Sequence, residues 1–231
     1  MNQNIKRQKY KKMIKNIIFD FDGVIVDSEV LVSKAFSKYF KKFGHSLKEE
    51  QFYKYAGNKT VEVINLLSAK YNIENKKKFT NEIFEIVSEV YSKDLKLVEG
   101  VKDYISKSDR NHYIGSNSNK DRILDGLKIV GLDKIFLSDQ IYSFDMVKRP
   151  KPDPDIYLKV LKDNSLNREE TVIIEDSGLG VKAATAAKVR VFGLTAGKHW
   201  HTNREKNELF DNGALNVFSD FESLGKAIEE L

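Results

Sequence analysis

Asp20 and Asp22 are separated by one residue and followed at once by Gly23. In extended backbone such a pair faces one way, so two carboxylates can meet one ligand. A glycine beside them lets the main chain approach that ligand closely. Glu175-Asp176 is a second acid pair, and Ser116-Asn117-Ser118 offers hydroxyl and N–H groups that can hold an anion. Lys151 lies in Arg149-Pro150-Lys151-Pro152-Asp153-Pro154, the hexapeptide that contains all three prolines of the chain. Each proline fixes its own φ and pushes its predecessor towards extended geometry, so the lysine is stiffly placed. Asp153 and Pro154 read as N-cap and first residue of the next helix. Each piece alone has an ordinary explanation as a cap, a turn or a surface lysine. Together, Asp20, Asp22, Glu175 and Asp176 cannot all ionise side by side without a cation. A hard ion with oxygen ligands resolves the conflict, and Mg²⁺ beside a phosphate is the usual case.

The elements around these residues make the grouping credible. The run Ile17-Ile18-Phe19 stops at the first acids, as a buried parallel strand ending at a site would. Residues 28–93 change to helical periodicity. Val32, Phe36, Tyr39 and Phe43 form one stripe, Val61, Ile64 and Leu67 a second, and Ile83, Val87 and Val90 a third. After Gly100 the pattern alternates. Helices are expected over 101–106, 120–130, 155–161, 180–187, 205–211 and from 222, and strands over 112–115, 135–137, 171–174, 189–194 and near 217. This predicts an α/β fold: a Rossmann-like, doubly wound parallel sheet with an all-helical insert in its first crossover. In such sheets ligands sit beyond the carboxyl ends of the strands, and the residues singled out follow strands there.

Composition narrows the classes further. The 231 residues, 41% hydrophobic, can bury a full core and a smaller accessory unit. No apolar run approaches the roughly 20 residues of a membrane helix, and no secretory leader is evident. The absence of cysteine excludes disulfides and thiol chemistry, with the cytoplasm as the expected compartment. The net charge of +5 is matched by Lys6, Arg7, Lys9, Lys11 and Lys12, so residues 13–231 are close to neutral. A basic tail on a neutral body reads as a solvated extension. Nucleic acid and membrane are not expected partners.

The stretch Asp20-Phe21-Asp22-Gly23-Val24-Ile25-Val26-Asp27-Ser28, with Ser116, Lys151 and Glu175-Asp176 in that order, resembles the four motifs of the haloacid dehalogenase superfamily. The helical insert resembles the cap of its phosphoglycolate phosphatase and β-phosphoglucomutase-like members. The charge pattern marks 1–12 as a disordered basic tail, and the resemblance, which covers nearly the whole chain from Met13, implies 13–27 with 97–231 as the α/β core and 28–96 as a helical cap. It implies Asp20 as nucleophile, Asp22 as general acid and base, and Ser116 with the Asn117 N–H as phosphate ligands. Lys151 would offset charge. Mg²⁺ would be held by Asp20, Asp22 through its backbone carbonyl, and Asp176, with Glu175 bound directly or through water. Lys148 competes for the third motif, but Lys151-Pro152 fits it better. Gly23 and, in the cap loop 52–60, Gly57, Asn58 and Lys59 would contact substrate. His199, Trp200 and His201 read mainly as structural or surface residues. Dehalogenases of this family lack an acid at the position of Asp22, so phosphate chemistry is implied. β-Phosphoglucomutases generally carry a histidine where Val32 stands. The expectation is therefore a monomeric phosphatase acting on a small phosphorylated metabolite, with a phosphomutase or a non-catalytic binding module as alternatives.

Overall fold

The computed structural model describes residues 13–55, 60–200 and 204–231. The N-terminal tail, the predicted contacts Gly57, Asn58 and Lys59, and His201 lie outside the described residues.

Among the described residues strand β1 (Asn16–Phe19) comes first, and helices α1 (Glu29–Lys42), α2 (Thr60–Lys70) and α3 (Lys76–Asp94) follow. After them come α4 (Val101–Lys107), β2 (Asn111–Gly115), α5 (Lys120–Val130), β3 (Ile141–Tyr142), α6 (Asp155–Asp163) and β4 (Thr171–Glu175). Helix α7 (Gly178–Ala186), β5 (Arg190–Leu194), α8 (Asn207–Asp211), β6 (Asn216–Phe218) and α9 (Phe221–Glu229) complete the order. The strands form one sheet in the order β3-β2-β1-β4-β5-β6, with every pairing parallel. The predicted α/β class and the insertion of helices after the first strand are what is found.

Strand side chains alternate between two cores, as a period of two requires. Ile17, Phe19, Val172 and Ile174 join the core that continues into α1–α3, whereas Ile18 and Ile173 face α6 and α7. The runs Ile17-Ile18-Phe19 in β1 and Val172-Ile173-Ile174 in β4 are wholly apolar because both faces are covered. The two chain segments that enter and leave the helical insert pair with each other. Asp27 N donates to Lys96 O at 2.9 Å and Val98 N to Ile25 O at 3.0 Å, around an antiparallel bridge between Val26 and Leu97.

Four local expectations are corrected. The predicted strand at 135–137 is a turn: Ile135 N and Phe136 N both donate to Leu132 O, Phe136 is buried, and Ile135 and Leu137 point outward. The edge strand β3 lies later, where two residues suffice to pair with β2. Helix α6 begins at Asp155 with Pro154 as its cap residue, and Asp153 instead pairs with Arg149 at 3.4 Å. Val61 is 52% exposed, and Val63 takes its place beside Ile64 and Leu67 in the core. On α1, Phe40 rather than Phe43 completes the buried stripe.

Candidate active site

The carboxyl ends of β1, β2 and β4 meet at one edge, and the ladder continues past them. Asp20 N donates to Ile174 O, and Ser116 N to Tyr142 O, each at 2.9 Å. The main chain therefore fixes the first residue after each strand before any side chain acts. Asp20, Ser116, Lys151, Glu175 and Asp176 are all buried there. Lys148, by contrast, is exposed.

Lys151 Nζ donates to Asp20 Oδ1 and to Glu175 Oε1, both at 2.5 Å. Burial would lower its pKa, but the two carboxylates outweigh that and raise it, so the ammonium stays charged. Its backbone is held by the amide of Asn117, whose Oδ1 accepts from Lys151 N at 2.9 Å and whose Nδ2 donates to Lys151 O at 3.1 Å. Asn117 thus has a side-chain task, clamping the lysine segment, beyond the N–H contact expected of it.

Glu175 is saturated with donors. Oε1 accepts from Lys151 and from Tyr157 Oη at 2.7 Å, while Oε2 accepts from Asp176 N, Ser177 N and Ser177 Oγ at 3.1, 3.3 and 3.1 Å. Ser177 caps α7, accepting from Gly180 N at 3.1 Å, so the positive end of the helix faces the acids. A Cβ on Gly180 would overlap the Glu175 carboxylate, and one on Gly23, where φ is +85°, would overlap Asp176 Oδ2. At both positions glycine is required for the close approach to a carboxylate.

Asp20, Glu175 and Asp176 each offer an oxygen within 4.8 Å of the others. Burial pushes both Asp20 and Asp176 well above the usual carboxylate range; Lys151 opposes this at Asp20, and the charge of Glu175 reinforces it at Asp176. Three buried oxygen ligands whose ionised forms repel fit a hard divalent cation.

The side chain of Asp22 does not belong to that group. The expectation of four crowded carboxylates is corrected to three, because Asp22 has its own partners. Ser28 Oγ donates to Oδ1 and Ser118 Oγ to Oδ2, each at 2.5 Å, and Arg122 Nη2 donates to Oδ1 at 2.9 Å. Burial works against ionisation, but the Arg122 guanidinium and the two hydroxyls prevail and hold Asp22 below the usual range. The guanidinium also lies 4.4 Å from the ring centroid of Tyr91 in α3.

Sequence reasoning missed Arg122, Ser118 as a partner of Asp22, and Tyr157, and underrated His199. His199 is fully buried with Nε2 3.0 Å from Asp176 Oδ2. Burial pushes its pKa down to about 4, so the ring is neutral at physiological pH. Trp200 packs beneath Arg204, whose guanidinium lies 4.1 Å from its centroid.

A cavity of about 390 Å³ opens from Asp20, Ser116 and Asp176 to a wall formed by α1, α2 and α3. Val32, Ser33 and Phe36 of α1, Thr60, Val61 and Val63 of α2, and Phe84 of α3 line it, with Phe52 and Tyr55 of the connecting segment.

A family model described as haloacid dehalogenase-like hydrolase matches residues 17–194. A phosphorylated carbohydrates phosphatase of Thermotoga maritima is 31% identical over 223 residues, covering 93% of this chain and 99% of that protein. A 6-phosphogluconate phosphatase of Escherichia coli is 27% identical over 188 residues, covering 80% of this chain and 85% of that one. Among solved structures, a conserved haloacid dehalogenase-like protein of Agrobacterium tumefaciens superposes with a TM-score of 0.84 at 30% identity, covering 93% of this chain and 97% of that one.

Proposed function

The chain belongs to the haloacid dehalogenase-like hydrolases, and we propose that within that family it is a Mg²⁺-dependent phosphatase of small phosphorylated carbohydrates, acting through Asp20. The observation that carries this reading is the trio Asp20, Glu175 and Asp176 converging beside Lys151, with the Ser116 hydroxyl on the same cavity. Asp20 and Asp176, with the backbone of Asp22, would hold the ion. Glu175, whose oxygens are already occupied by donors, would support it through water. The ion supplies charge neutralisation that lets a phosphate enter among carboxylates.

The residues of the chain do the rest. Asp20 attacks phosphorus and becomes phosphorylated. Lys151 and Ser116, with the N–H of Asn117, stabilise the charge on the transferring oxygens. Asp22 moves protons, first to the leaving oxygen and then from water. Arg122, Ser118 and Ser28 keep it ionised before substrate arrives, the form the second step needs. A phosphate dianion beside it favours the protonated form the first step needs. Val32 lines the cavity where an imidazole would serve a phosphomutase, which favours hydrolysis. The helical insert acts as a cap, with 28–96 as its extent.

The test is phosphate release from p-nitrophenyl phosphate and a panel of sugar phosphates, with Mg²⁺ or with EDTA. EDTA should abolish turnover, and Asp20→Asn should lower kcat by about three orders of magnitude or more. Activity that survives either treatment would refute the mechanism.

A further inference from the structure

His199 sits in a turn, residues 197–200, that follows β5, and none of its surface is exposed. No step of the reaction above uses it. Burying an imidazole costs free energy unless polar groups meet it. A leucine or phenylalanine would fill the same space without that cost, so packing alone does not account for a histidine here.

Its surroundings do. The ring touches both of the segments that would bring ligands to the ion from β1 and β4. Nε2 is 3.0 Å from Asp176 Oδ2. Cε1 faces Gly23, the residue after Asp22: a Cβ on Gly23 would stand 3.1 Å from Cε1 and would overlap Asp176 Oδ2. Gly197 makes room for the ring from within its own turn, since a Cβ there would meet Cε1 at 2.8 Å, Nδ1 at 2.9 Å and the Gly23 carbonyl oxygen at 3.1 Å. Gly23, Asp176, Gly197 and His199 therefore pack as one unit. The turn is anchored as well. Lys198 N donates to Asp27 Oδ1 at 3.1 Å, and Trp200 N to Gly197 O at 3.0 Å. Trp200 packs beneath Arg204, Arg204 pairs with Glu208 at 2.8 Å, and Glu208 accepts from Gly178 N, two residues past Asp176, at 3.1 Å. A neutral ring suits this position. A lysine or arginine there would compete with a divalent ion for Asp176, whereas a neutral N–H can orient a carboxylate and leave its charge to the ion.

We propose that His199 is a positioning residue for the metal site, holding Asp176 and the Asp22–Gly23 segment at the spacing a divalent cation requires. The proposal rests on the Mg²⁺-dependent reading above and adds to it a residue outside the four motifs.

Glutamine can bring an amide N–H to where Nε2 stands, and asparagine, one methylene shorter, cannot. Calorimetric Mg²⁺ titration of the full chain should give a dissociation constant raised about 10- to 100-fold in His199→Asn and His199→Leu, and within about threefold of wild type in His199→Gln, the contrast expected when the partner of a metal ligand is lost or replaced. With p-nitrophenyl phosphate at saturating Mg²⁺, kcat should be retained in all three, while the Mg²⁺ concentration giving half-maximal rate rises with the dissociation constant. Thermal unfolding in EDTA separates positioning from packing. A lower Tm in EDTA with an unmoved Mg²⁺ dissociation constant in His199→Asn and His199→Leu would overturn the proposal, and so would a glutamine variant that binds Mg²⁺ as weakly as the asparagine one. Gly197→Ala keeps the histidine but crowds its ring, so it should raise the same constant, and it decides the matter where the substitutions at 199 do not fold; wild-type affinity in it would count against the proposal. Each of these results leaves the metal-dependent reading intact. Wild-type protein that binds no Mg²⁺ overturns both.

Discussion

Asp176 is buried against Glu175, and that combination raises its pKa well above the usual range. An ionised Asp176 is therefore a cost to the folded chain, and a divalent ion bound there would offset it. Mg²⁺ at about 100 times its dissociation constant should stabilise the protein by about 2.7 kcal/mol, or about 5–10 °C in Tm for a chain of this size. Asp176→Asn removes the ligand and the repulsion together. It should raise Tm in EDTA and abolish the increment from Mg²⁺, as read by thermal unfolding with and without the ion. An undiminished Mg²⁺ shift in that variant would place the ion elsewhere. Asp20, Ser116, Lys151, Glu175 and Asp176 were readable in the sequence because each stands at or beyond a strand end or between prolines, where local pattern fixes position. Arg122 was not. It reads as one more charge on an amphipathic helix, and only the capping of α5 by Asn119 signals otherwise. That cap makes Arg122 the third residue of the helix, whose side chain leans back towards the strand ends. Tyr157 and His199 had no such signal, since each reaches its carboxylate through tertiary packing alone.

At the scale of elements, the site depends on how closely α7 approaches the end of β4. Gly180 is the second glycine of that helix, and a side chain there would occupy the space of the Glu175 carboxylate. Gly180→Ala would ordinarily favour a helix interior by about 1 kcal/mol. Here it should destabilise the protein despite that gain, and it should weaken Mg²⁺ binding because Glu175 and Lys151 must shift together. Urea unfolding and Mg²⁺ titration of the variant check both effects; a more stable Gly180→Ala protein with unaltered Mg²⁺ affinity would contradict the packing argument. The strands β1, β2, β4 and β5 and the helices between them were legible because each is buried on a defined face. The edge strand β3 was not, since its two residues carry too little pattern, and the apolar run at 135–137 just before it mimics a strand. Val61 misled for a related reason. Its apolar side chain faces the cavity, so a periodicity argument that assigns every apolar residue to the core puts it on the wrong side.

For the whole molecule, the helical insert was legible from the switch of period alone, and the pairing of its two linkers through Asp27 and Lys96 was not, because backbone hydrogen bonds leave no mark on composition. A property of the whole chain follows from a residue far from the cavity mouth. His112 is 7% exposed in β2, with its ring against Phe19 and Phe136 and Nε2 3.0 Å from Ser108 Oγ. Burial, reinforced by Arg110, pushes its pKa down to about 4. In the unfolded chain the imidazole takes its proton as pH falls through about 6.5, whereas the folded chain takes it only near the lowered value. Between those two values the unfolded state binds more protons, so stability must fall as pH falls. The loss attributable to His112 between pH 7 and pH 5 is up to about 2 kcal/mol. Asp20 and Asp176, with raised pKa values, act in the opposite sense, since protonation relieves them in the folded state. The difference between the wild type and His112→Phe isolates the histidine, because the carboxylates contribute equally to both. Urea unfolding at pH 7, 6 and 5 should therefore show the wild type losing more stability on acidification than His112→Phe, with the gap widening at each step. Parallel pH profiles for the two proteins would mean that His112 is protonated as readily in the folded chain as in the unfolded one.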